Sequence, residues 1–166
     1  DVEGAKKVRA DAGITTPVDV RLLFSQTNER RNSEYTLWAP IAAEAGFNLI
    51  NASSTTWSAD LDTKQTSYDA ALFAWILNNT GRTQNAPNYI TGGANNFYGW
   101  SSDAVDEPFK AIDTETDGAK ADELLVQAEK AIGEQYWSIP VFQFPGITAW
   151  DESKVSGVTA APLTPQ

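Results

Sequence analysis

The chain has 166 residues, 42% of them hydrophobic and 20% charged. That is enough chain and enough apolar content for one folded domain, and too apolar for a disordered one. An excess of 22 acidic over 12 basic residues gives a net charge of −10, a field that repels nucleic acid. Cysteine and histidine are both absent, which excludes Cys- or His-based nucleophile pairs, His- or Cys-ligated metal, and disulfides.

Residues 1–12 read as a helix. Asp1 is placed to cap it, Ala5 and Val8 fall on one side, and Gly13 suits the position just past the end. A strand is predicted over 18–24, where Val18, Val20 and Leu22 alternate before an apolar finish. After a polar turn, 29–45 reads as a second helix with Trp38, Ile41, Ala42 and Ala45 inward. Pro40 lies inside that run and predicts a kink or an interruption. Gly46 ends the helix, 47–50 is a short strand, and 57–66 is a short helix that turns Trp57 and Leu61 inward.

The strongest strand signal covers 68–76, apolar on both faces after Asp69, as a central, doubly covered strand would be. Alternation of helix and strand up to this point is an α/β pattern. Residues 77–101 then break it. One charged residue, six asparagines and four aromatic residues make a long polar loop, of the kind that in a compact domain is functional. Two helices follow. The first is capped at Ser102, has Asp103, Asp106 and Glu107 at its positive end, and buries Val105, Phe109 and Ile112. The second covers about 118–136 and buries Leu124, Leu125, Ala128 and Ile132. Residues 139–144 alternate as a strand does. Residues 1–154 are expected to form one ligand-binding lobe, and 155–166, rich in small residues and proline, a connector.

No phosphate-binding glycine loop, nucleophile elbow or calcium loop is present. Carboxylates are the remaining acid–base groups. Asp60 with Asp62, and Asp103 with Asp106 and Glu107, read as solvated helix faces and dipole partners rather than as a catalytic pair. Trp75 is more informative, because it ends the predicted strand just before the polar loop. Ligands of open α/β sheets gather at the carboxyl ends of strands. Trp75 therefore reads either as a core ring closing the sheet or as the wall of a ligand site, with Asn78 and Asn79 beside it as amide donors and acceptors. Tyr98 and Trp100 carry the same two readings. Asn-x-Ser/Thr sequons at Asn51 and Asn78 read as chance.

The order of these pieces resembles one family, the extracellular solute-binding proteins of peptide- and nickel-type ABC importers, in their carboxyl-terminal lobe. Asp-x-Glu-x-Ala-Lys through Gly13 looks like that lobe's leading helix. Ile41-Ala42-Ala43-Glu44-Ala45-Gly46-Phe47 looks like its helix-to-strand step, and Tyr68-Asp69-Ala70-Ala71-Leu72-Phe73-Ala74-Trp75 like its tryptophan-ended strand. The stretch from Asn95-Asn96 to Asp106, and Ala128-Glu129-Lys130 with Ile139-Pro140-Val141-Phe142, follow in the same order. The resemblance implies a periplasmic-binding-protein-like α/β lobe with a mixed sheet flanked by helices, isolated from a longer three-domain protein.

It also implies a non-enzymatic component of an importer that captures a peptide or similar small solute between two lobes. Its implied partners are that ligand, the permease subunits and the amino-terminal lobe, with no nucleic acid, cofactor or metal. The implied location is extracytoplasmic, in a periplasm or as a cell-surface lipoprotein. The ligand-binding residues it implies are Trp75, Asn78, Asn79, Asn95, Asn96, Tyr98 and Trp100. Peptide binders of the family commonly hold the ligand's α-amino group with an acid three residues after the strand tryptophan. Asn78 stands there instead and cannot supply that charge-assisted bond, so a sugar, another neutral solute or a backbone-held peptide stays open. Two rivals stay open beside it. One is a carbohydrate-active enzyme or lectin-like module, which needs paired carboxylates across a cleft. The other is an interaction domain with an exposed apolar patch.

Overall fold

Two compact units, Asp1–Trp75 and Ile76–Gln166, make up the chain. The computed structural model describes residues 1–75, 81–144 and 147–159.

The first unit is built on three parallel strands, β1 (Val18–Leu23), β2 (Phe47–Asn51) and β3 (Ala70–Ala71), in the order β2-β1-β3. Helix α1 (Val2–Asp11) precedes β1, α2 (Glu29–Glu44) joins β1 to β2, and α3 (Trp57–Thr63) follows β2. The α/β expectation holds, and the described strands are all parallel rather than mixed. Local chemistry sets the ends. The Asp1 carboxylate accepts from the Gly4 amide at 2.8 Å and the Asn28 side chain from the Arg31 amide at 3.1 Å, each meeting an orphan donor of a first helical turn. Gly13 and Gly46 take the left-handed conformation (φ 72° and 83°) that closes α1 and α2.

The core of this unit gathers Leu22, Leu23 and Phe24 from the end of β1 with Ala45, Leu61 and Tyr68. Phe24 stacks on Tyr35, whose hydroxyl donates to the Leu49 carbonyl and so ties α2 to β2. Arg21 and Asp69 form a two-pronged ion pair, and Asp69 also accepts the Arg21 amide, which fixes the register of β3 on β1. The guanidinium holds the Asp69 carboxyl down to a pKa of about 2.

Several expectations are corrected. The 68–76 strand pairs only at Ala70–Ala71, with the Asp69 and Leu72 amides donating to Arg21 and Leu23 on either side. Among the described strands it lies at the sheet's edge, and β1 is central. Its apolar run feeds an aromatic cluster rather than two covered sheet faces; Ile76 lies outside the described residues. Helix α2 runs through Pro40 without interruption, since Pro40 and Thr36, whose carbonyl it cannot bond, are both exposed residues. Its inner face holds Trp38, Ala42 and Ala45, whereas Ile41 is half exposed. Val8 also points out. Arg9 takes the inward place on α1, lying 5.6 Å over the Phe47 ring and donating to the Ala45 and Thr16 carbonyls. Lys64 caps α3 earlier than the sequence suggests.

The second unit is helical. Its elements are α4 (Ala86–Tyr89), α5 (Asp103–Ile112) and α6 (Gly118–Glu134). Val105, Phe109 and Ile112 of α5 pack on Ala121, Ala128, Ala131 and Ile132 of α6, with Ala86 beneath them. Small alanines on α6 let the two helices approach closely, while Leu124 and Leu125 border the core rather than fill it. Asp117 caps α6 with bonds from the Ala119 and Lys120 amides. Residues 139–144 form no strand. An alternating pattern becomes a strand only where a neighbour pairs with its backbone, and among the described residues none does. Ile139 is 88% exposed as a result. Residues 160–166 of the expected connector lie outside the described residues.

Candidate functional site

The carboxyl ends of β1, β2 and β3 lie on one edge of the sheet, because the three strands are parallel. That edge is where an open α/β sheet offers a crevice. The segments leaving it are short and polar. The Ser54 amide donates to the Phe24 carbonyl and the Gln26 amide to the Ser54 carbonyl, so pairing continues past the strands to a Ser25–Ser54 bridge. The Ser54 hydroxyl accepts the Thr56 amide at 3.0 Å. Asn28 then starts α2 and Thr56 starts α3, both at this edge.

Trp75 leaves the same edge beyond β3. It meets Phe73 edge to face at 4.4 Å, and Phe73 meets Trp57 at 5.6 Å. Trp75 is 38% exposed. The geometry is intermediate between the two readings of this residue: the ring packs on Phe73 and still keeps over a third of its surface exposed. Arg31, three residues into α2, lies across the other side of the cluster with its guanidinium carbon 4.4 Å from the Trp57 ring centre. The contacts of Phe73 and Arg31 with these rings were not legible in the sequence. Phe73 reads as strand core, and nothing in the sequence near Arg31 signals a charge lodged against a ring.

The loop residues belong to the second unit. Trp100 stacks on Trp137 at 5.1 Å with planes 6° apart, on Tyr98 at 4.6 Å and on Tyr89 at 5.9 Å. Burial pushes the Tyr89 hydroxyl up, partly offset by its bond with Ser138. Tyr98 is the outer ring, 36% exposed. Asn96 is spent inside the loop. Its amide nitrogen donates to the Ile90 and Trp100 carbonyls and its oxygen accepts the Trp100 amide at 3.0 Å. The Asn95 amide donates to the Asn88 side chain at 3.0 Å. These asparagines act as the loop's scaffold, replacing strand or helix bonds that an irregular backbone lacks. Asn78 and Asn79 lie outside the described residues.

Two of the acids are held toward their ionised forms. Lys64, Ser54 and Thr56 hold the Asp60 carboxyl below its ordinary value, and Arg21 does the same to Asp69. A general acid requires the opposite shift. Asp106 is occupied at the start of α5, accepting the Thr91 amide at 2.9 Å. Among the described residues no group of three or more acidic side chains is placed to hold a metal ion. No helix among them is long and apolar enough to cross a membrane.

The sequence matches no family model and no curated protein. Solved structures match its fold. NikA from Staphylococcus aureus, solved in complex with Ni(L-His)2, superposes on 79% of this chain with a TM-score of 0.70 at 16% identity. OppA from Haemophilus influenzae, in complex with RPPGFSPFR, superposes on 81% with a TM-score of 0.71 at 19% identity. The Escherichia coli murein tripeptide binding protein MppA superposes on 81% with a TM-score of 0.70 at 19% identity. The matched part is 29%, 27% and 27% of those chains respectively, so this chain spans less than a third of their length. The fold is therefore that of one part of the peptide- and nickel-type solute-binding proteins, as the resemblance in the sequence implies.

Proposed function

We propose that this chain is the carboxyl-terminal lobe of the substrate-binding component of an ABC importer. The whole protein captures a peptide or similar small solute between two lobes and delivers it to membrane permease subunits. It works outside the cytoplasm, in a periplasm or lipid-anchored at the cell surface, and performs no catalysis. The observation that carries this reading is the shared fold across four-fifths of the chain with proteins solved in complex with a solute or named for one. The exposed aromatic cluster at the carboxyl edge of the sheet supports it.

In this reading Trp75 is a ligand wall, Asn78 and Asn79 offer amide contacts beside it, and Tyr98 and Trp100 present a second aromatic surface on a loop that Asn95 and Asn96 hold in shape. Binding proceeds by closure of the two lobes, so residues 1–154 alone supply half of the contacts. The experiment is to purify the full gene product without denaturation, unfold it, and identify released small molecules by mass spectrometry. A released peptide or other small solute is the expected result. An empty protein that turns over an added glycan overturns the reading.

A further inference from the structure

Residues 139–144 carry the alternation of a strand, yet they stand outside any sheet among the described residues. Trp137 fixes the start of the segment by stacking on Trp100 at 5.1 Å. From there the chain runs out through Ile139-Pro140-Val141-Phe142-Gln143-Phe144, with Ile139 88% and Val141 56% exposed. Ile139, Val141 and Gln143 take part in no backbone–backbone hydrogen bond among the described residues. Phe142 and Phe144 differ, since their rings meet edge to face at 5.1 Å. Branched and aromatic residues in alternation gain little from a solvated, extended backbone. They suit a pleated surface with a neighbouring strand beside it.

The segment offers one edge for such a neighbour. In a strand the N–H and C=O of alternate residues point to the same side. Pro140 has no N–H, so the edge it shares with Phe142 and Phe144 is incomplete. The opposite edge, made by Ile139, Val141 and Gln143, is complete. Proteins guard an edge that stays in solvent with charge, and no charged residue lies between Glu134 and Asp151. Two facts narrow what pairs there. Two copies of this chain each carry a net charge of −10 and repel. The matched part is only 29% and 27% of the NikA and OppA chains, which leaves most of a protein of that length to supply a strand.

Resting on the reading of this chain as one lobe of a longer protein, we propose that residues 139–144 are a strand whose Ile139–Val141–Gln143 edge pairs with a strand from the part of the full gene product outside residues 1–166. That strand takes up the backbone donors and acceptors of the edge, and its side chains lie beside Ile139 and Val141 as cross-strand neighbours. The join is made backbone to backbone. It therefore tolerates a change of side chain at Gln143 but not the loss of the N–H there.

The test uses the full gene product. Hydrogen exchange read at single residues should show the Val141 and Gln143 amides exchanging at least about a hundredfold more slowly than in an unstructured chain. Gln143→Pro removes one of those donors and should lower the unfolding midpoint by about 3 °C or more. Gln143→Ala keeps the donor and should stay within about 1 °C of the parent. A benzoylphenylalanine photo-crosslinker in place of Ile139 identifies the neighbour, and a crosslink to a residue outside 1–166 of the same copy is expected. Free exchange of both amides overturns the proposal, and this measurement on the unaltered protein decides even if the proline variant does not fold. Equal midpoints for the proline and alanine variants overturn it too, as does a crosslink within residues 1–166 or one that joins two copies. Free amides in a protein that still releases a small solute leave the solute-binding reading intact. Protected amides in an empty protein uphold the pairing without that reading, and an empty protein with free amides overturns both.

Discussion

Trp100 and Tyr98 are neighbours in the sequence and in the stack, yet their removal should have unequal effects. Trp100 has ring partners in Trp137, Tyr98 and Tyr89, two of them within 6° of parallel. At about 0.5–1.5 kcal/mol for each aromatic pair, and with the ring already partly solvated, Trp100→Ala should destabilise the second unit by about 3 kcal/mol. Tyr98 is the outer ring, and Tyr98→Ala should cost about 1 kcal/mol or less. Urea unfolding followed by far-ultraviolet circular dichroism gives both values. A double-mutant cycle of Trp100→Ala with Trp137→Leu should return a coupling of about 1 kcal/mol. If Trp100→Ala stays within about 0.5 kcal/mol of the parent, the stack does not fasten the loop, and its rings are a free binding surface instead.

Phe109→Ala empties a 3%-exposed site between α5 and α6 and should lower unfolding stability by about 3–5 kcal/mol in the same assay. Gly46→Ala forces a side chain into a left-handed position (φ 83°) and against the Arg9 guanidinium, so a loss of about 2 kcal/mol in thermal or urea melts is expected. The Asp69 carboxyl has a folded-state pKa of about 2 against an ordinary 3.8. Its stabilisation is thus complete above about pH 4 and disappears as the pH falls toward 2, so Asp69→Asn should flatten the acid limb of a stability–pH curve there. An unchanged acid limb would mean that the Arg21 pair does not persist in solution.

Helices were the most legible part of the chain. Asp1 caps, Gly13 and Gly46 stop, and Val105, Phe109 and Ile112 bury as their spacing predicts, because each signal acts within one or two turns, whereas Ser102 takes the cap position of α5 without a side-chain bond and Asn28 and Asp117 cap unannounced. Strands were less legible, since a strand exists only with its partner. Residues 68–76 and 139–144 have good alternation or apolar content, yet the first pairs over two residues and the second over none among those described. Trp75 was legible as a candidate through its place after a strand. Its companions Trp57, Phe73 and Arg31 come from three separate segments, and no local pattern announces that they meet. The asparagines at 95 and 96 show what sequence alone does not reveal. Their amides look free for a ligand, yet Asn96 bonds the irregular backbone beside it and Asn95 donates to the Asn88 side chain.

The carboxyl edge of this sheet is proposed to bind a solute. Its most direct test is the affinity of the full gene product for the solute it releases on unfolding, compared between the parent and Trp75→Ala by calorimetry. Loss of at least about tenfold in affinity, about 1.4 kcal/mol, with an unchanged melting temperature is the predicted result. Equal affinity in the two proteins, or a Trp75→Ala protein that fails to fold, would return Trp75 to the core and contradict the claim.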